Sequence, residues 1–108
     1  MENKHTYKEY TFPDGEKIKC TVAFALLLKL RQHNKHTYEV LNNNLLYGVK
    51  DMADSALVLY GAYLCACLSG ENGGIEKAMS KDDFIARLDD DILDVMIFCN
   101  GLLNKKKN

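Results

Sequence analysis

The chain has 108 residues, the length of one domain, and 47% of them are apolar, enough for a core that needs neither a disulfide nor a metal. Fourteen basic residues against fifteen acidic ones leave a formal net charge of -1. That balance removes the strongest case for nucleic acid as a partner, which needs a basic surface against its phosphates, although it leaves room for a local basic patch.

The N-terminal stretch reads as a β-hairpin. A first strand around Thr6 to Phe12 leads into Phe12-Pro13-Asp14-Gly15, with the only proline of the chain where a turn wants a fixed φ and glycine where it wants freedom. Beyond it Ile18, Cys20 and Val22 alternate with Lys17, Lys19 and Thr21, the period of a half-buried strand. From Val22 to Arg31 the composition turns helical and ends in Gln32-His33-Asn34. Thr37 is expected to cap a second helix to Leu46 or Tyr47, with Gly48 ending it. Asn42, Asn43 and Asn44 are weak helix formers and predict a short or irregular element there.

Asp51 opens the strongest predicted helix, which runs to about Leu68. Ala53, Ala56, Leu57, Tyr60, Leu64 and Cys67 keep helical spacing, and apolar residues fill much of the remaining surface. Such a helix belongs at the centre of the fold. From Ser55 to Gly70 no residue is charged, yet the run falls short of the roughly 20 residues that cross a bilayer. Gly70-Glu71-Asn72-Gly73-Gly74 reads as a loop, the most flexible connection in the chain. Ser80 caps a fourth helix whose apolar face is Phe84, Ile85 and Leu88. Asp89-Asp90-Asp91 starts a last helix to Leu103 that buries Ile92, Val95, Met96, Cys99, Leu102 and Leu103. The expected architecture is mainly α: one domain, 1–108, with the hairpin over 1–22, about five helices in a core over 23–103, and a basic tail over 104–108.

Sites for chemistry find little support. The four cysteines, Cys20, Cys65, Cys67 and Cys99, lie in apolar surroundings, and the polar start Met1-Glu2-Asn3-Lys4 carries no secretory signal. Buried free thiols in the reducing cytoplasm are therefore expected. His5, His33 and His36 form no metal-ligand spacing, and Asp89, Asp90, Asp91 and Asp94 are too contiguous for a calcium loop. Ser55, Ser69 and Ser80 lack a nucleophile context, and Gly73-Gly74 is not a phosphate-binding loop. No metal, cofactor or catalytic residue is assigned, and the chain is read as a binding protein rather than an enzyme. The helix pair from Ser80 to Leu103 imitates a helix-turn-helix, but its acidic second start would repel phosphates.

Tyrosines remain, on the hairpin (Tyr7, Tyr10, with Phe12) and on the middle helices (Tyr38, Tyr47, Tyr60, Tyr63). Tyrosine buries area at low entropy cost and keeps a polar tip, so the group suits a protein-facing surface as well as ordinary packing. The contact face is placed on the least regular helix, at Tyr38, Leu45, Leu46 and Tyr47. Serine at positions 46 and 47 is expected to weaken partner binding and leave the fold intact.

The order of parts resembles a known family. A hairpin reading Phe12-Pro13-Asp14-Gly15-Glu16-Lys17-Ile18-Lys19 runs into a leucine-rich helix and then an apolar, tyrosine-containing one. Met79-Ser80-Lys81-Asp82-Asp83-Phe84 follows, leading into Leu88-Asp89-Asp90-Asp91-Ile92 and a short lysine-rich end. This arrangement resembles the tail assembly chaperones of long-tailed bacteriophages and of prophages in Gram-positive bacteria. The resemblance implies a cytoplasmic, mainly helical protein that binds the tape measure protein, keeps it soluble and promotes assembly of the tail tube protein around it. It also implies self-association, while the balanced charge and the short uncharged run leave neither nucleic acid nor membrane as an expected partner. In many members a longer form arises by ribosomal frameshifting near the end. Lys105-Lys106-Lys107-Asn108 would be encoded by an A-rich run on which ribosomes slip, though the same lysines serve equally as a solvating end to the last helix. The rival reading is a small helical DNA-associated transcriptional regulator.

Overall fold

The computed structural model describes residues 6–88 and 92–107, and its first element is an antiparallel hairpin of β1 (Lys8–Thr11) and β2 (Lys17–Cys20). Tyr10 faces Ile18 and Lys8 faces Cys20 across the ladder. Alternation puts Tyr10, Ile18 and Cys20 inside and Glu9, Lys17 and Lys19 outside. The turn closes at Pro13 as expected: the Gly15 amide donates to the Phe12 carbonyl at 2.9 Å, with Gly15 at φ 96°. β1 is shorter than the expected strand, and Phe12 leaves it to pack edge-on against Tyr10 at 5.5 Å.

Thr21 ends the strand pattern. Its buried hydroxyl donates to the Thr6 carbonyl, and its amide donates to the Ala62 carbonyl at 3.1 Å, which pins the hairpin to the central helix. α1 (Phe24–His33) and α2 (Lys35–Tyr47) meet at Asn34. Here the expected cap is corrected. The Asn34 side chain, not Thr37, caps α2 by accepting from the Thr37 amide at 3.2 Å. Asparagine caps at least as well as threonine, and Thr37 is left free to bury its methyl in the first turn. α2 also runs unbroken through Asn42, Asn43 and Asn44, because Asn44 is buried with its amide donating to the Val40 carbonyl at 2.8 Å. Gly48, at φ 83°, ends it as expected.

α3 (Met52–Leu68) is the central helix, capped by Asp51, whose side chain accepts from the Ala53 amide at 2.7 Å. It touches β2, α1, α2, α4 (Lys81–Ala86) and α5 (Ile92–Lys107). Ser55, Ala56 and every residue from 58 to 67 are buried. Gly61 lets α2 approach: a Cβ there would lie 3.2 Å from Leu41 and 3.3 Å from Thr37. No single helix among the described residues is long and apolar enough to cross a membrane. α2 and α3 pass such a test only together, across a 113° bend.

Three further expectations are corrected. The glycine-rich segment after α3 is a built cover, with 3-10 turns at Glu71–Gly73 and Ile75–Lys77. Asn72, at φ 58°, accepts from the Lys19 amide at 2.8 Å and donates to the Lys19 carbonyl at 2.9 Å, so its side chain continues the ladder beyond β2. On α4, Ser80 caps as expected, but Phe84 alone is buried: Ile85 faces outward and Leu88 is half-buried. Finally, α5 does not stop at Leu103; the expected tail continues the helix to Lys107, since lysine is a good helix former and suits a helix C-terminus. α5 buries Val95, Cys99, Leu102 and Leu103, with Ile92 and Met96 half-buried beside them. Asp89, Asp90, Asp91, His5 and Asn108 lie outside the described residues.

Candidate partner-binding surface

Most of the aromatic side chains build the core. Phe84 of α4 lies 4.9 Å from the ring of Tyr63, 5.2 Å from Tyr60 and 5.5 Å from Phe12. The two hydroxyls of this cluster hold one backbone unit: Tyr60 donates to the Met79 carbonyl at 2.9 Å, and the Met79 amide donates to Tyr63 at 2.9 Å. Burial raises the pKa of both phenols, that of Tyr63 to about 12. Tyr10 packs edge-on against Phe12 and Phe98. Tyr7 is half-buried and hydrogen-bonded to Ser69 at 2.8 Å. Of the tyrosines that suited either packing or a protein-facing surface, most therefore pack, and only Tyr47 is largely exposed.

The four residues assigned to partner contact divide as well. Tyr38 and Leu45 are seven apart, so they share one flank of α2, where both are half-buried against the core. Leu46 and Tyr47 point outward at 62% and 65% exposure. Met52, just past the bend into α3, is exposed beside them along the chain. Val49, between the two helices, is buried and anchors the corner.

Exposed apolar residues occur on other helices too. Phe24 and Leu28 stand out on α1 at 66% and 45% exposure, and Leu93 and Ile97 on α5. Both pairs are four residues apart and lie on the face opposite the one buried. The sequence reading missed them because runs such as Val22 to Leu28 are apolar throughout, so composition does not say which residues turn outward.

Several polar groups have structural roles. An ion-pair clamp joins the hairpin turn to the end of α4: Arg87 donates to Asp14 at 2.7 Å and to Glu16 at 2.5 Å, with its guanidinium 4.2 Å above the Phe12 ring. The Glu16 amide and then Arg87 hold the Asp14 carboxyl below its ordinary value. Ser55 donates to the Met52 carbonyl, Ser69 to that of Ala66, and Ser80 caps α4. The four cysteines are free and buried, drawn together from β2, α3 and α5, and burial raises every one of their pKa values. Such thiols are poor nucleophiles and poor ligands. His33 and His36 are exposed on either side of the α1–α2 junction, and Asp94 is exposed on α5. Among the described residues no group of three or more His, Cys, Asp or Glu could hold a metal ion. No protein-family model, curated protein or solved structure matches this chain.

Proposed function

We propose that this protein acts by binding, as a tail assembly chaperone that covers a phage tape measure protein, keeps it soluble and promotes assembly of the tail tube protein around it. The observation that carries the reading is the outward placement of large apolar side chains, Leu46 and Tyr47 foremost, on a helical domain whose core is complete without them. A tape measure is a long helical chain with an apolar stripe that aggregates when bare. Helix faces presenting Leu, Tyr and Met can bury such a stripe by helix-on-helix packing. The reading places the protein in the host cytoplasm, without catalysis and with copies able to associate, and it adds nothing to the finished virion.

The test is the gene's downstream flank, read through its lysine codons into the next long reading frame. An overlapping frame followed by a very long, helix-rich reading frame is the expected result. An isolated gene, or one among regulatory or metabolic genes, overturns the proposal.

A further inference from the structure

We infer that the solvent face of α1 is a second docking surface, built for an acidic amphipathic helix of another protein. The inference does not rest on the identity of the partner at the α2–α3 corner.

α1 buries Leu26, Leu27 and Leu30 against the core. At 100° per residue the opposite face carries Phe24, Leu28 and Gln32 in line. Phe24 and Leu28 are exposed and large, and Gln32 continues the stripe toward the α2 end. Lys29 lies about 100° to one side of Leu28 and Arg31 about 60° to the other. The stripe is thus apolar over Phe24 and Leu28, turns polar at Gln32, and has a cation on each border. Lys35, at the start of α2, adds a third exposed cation beyond its end.

Few acids lie nearby along the chain. No Asp or Glu occurs between Lys17 and Tyr38; the first is Glu39, four residues after Lys35 on α2, so the surplus of positive charge rests on Lys29 and Arg31. Lys29, Arg31 and Lys35 make no ion pair among the described residues, whereas Lys19 and Arg87 elsewhere are both paired. The overall balance that argues against nucleic acid therefore hides a local basic patch.

The occupant follows from both halves of the pattern. Phosphate would satisfy the cations but gain nothing from Phe24 and Leu28 between them. A bilayer would take the apolar residues, but a stripe two residues long is too narrow to insert. A helix with its own i, i+4 apolar stripe and Asp or Glu on each border complements both the apolar pair Phe24 and Leu28 and the cations Lys29 and Arg31 beside it.

The experiment uses the full chain and two designed, fluorescein-labelled amphipathic peptides. They share one leucine i, i+4 stripe and differ in being bordered by glutamate or by lysine. Duplex DNA and vesicles of phosphatidylcholine with phosphatidylserine are the other probes. The expected result is binding of the glutamate peptide alone, weakened roughly tenfold between about 50 mM and 500 mM salt. Leu28→Ser abolishes it, K29E/R31E inverts the preference to the lysine peptide, and L46S/Y47S leaves it unchanged. All three variants alter exposed side chains, and an unchanged thermal melt verifies their folding. The inference is overturned by failure of the glutamate peptide to bind. Binding that survives Leu28→Ser or K29E/R31E overturns it too, as does tighter binding of DNA or vesicles to the same cations.

Discussion

Phe84 is the only buried residue of α4, and its ring completes the cluster with Phe12, Tyr60 and Tyr63. Phe84→Ala leaves a cavity where three rings met and removes the main anchor of a six-residue helix. A fully buried Phe→Ala change costs about 3–5 kcal/mol, a large fraction of the roughly 5–15 kcal/mol that holds a domain of this size. With a urea slope of about 2 kcal/mol per molar, the unfolding midpoint should fall by roughly 2 M. Phe84→Leu, which keeps most of the volume, should lose about a third of that. Urea titration followed by far-UV circular dichroism reads both variants. A loss below about 1 kcal/mol for Phe84→Ala would refute the view that α4 is held by this ring.

Tyr60→Phe and Tyr63→Phe should each cost about 1 kcal/mol by freeing one Met79 backbone group, without altering partner binding, as measured by denaturation and pull-down side by side. Gly61→Ala gains about 1 kcal/mol of helix propensity but crowds buried Leu41 and Thr37, so a net loss of about 1 kcal/mol is expected, and Gly61→Leu should prevent folding. Cys65 and Cys99 are pushed from the ordinary 9.0 up to about 12, so the unfolded chain releases protons that the folded one keeps. Stability should hold below about pH 9 and fall as the pH climbs toward 12, by about 1 kcal/mol per thiol at pH 10, and a C65A/C99A variant should flatten that slope. The Asp14 carboxyl should titrate below 3.8 by NMR and return only part of the way in Arg87→Gln, because the Glu16 amide remains.

Where local chemistry decides, the residues are legible from the sequence. Pro13 and Gly15 mark the hairpin turn, the alternation of Ile18 and Cys20 its inner face, Asp51 and Ser80 two helix starts, and the uncharged run from Ser55 the central helix. What is not legible depends on neighbours far along the chain. Asn72 looks like a loop residue until Lys19, 53 residues away, receives its amide. Tyr60 and Tyr63 lie on the helix expected at the centre, but nothing near them in the sequence names Met79 as the partner of both hydroxyls. The assigned contact face mixes the two cases: Leu46 and Tyr47 follow the helix outward, while Tyr38 and Leu45 turn to a core that only the packing of α2 on α3 defines. The cations bordering α1 are plain in the sequence as charges, yet their arrangement about Leu28 requires knowing which leucines are buried.

The most direct test of the account is co-expression of this chain with the product of the long helix-rich reading frame expected downstream, scored by how much of that product stays soluble. Wild type should hold it in the soluble fraction. L46S/Y47S should leave it in the pellet while itself melting as the wild type does. Equal solubility of the long protein with both, or insolubility even with wild type, would contradict the proposal that this domain is its chaperone.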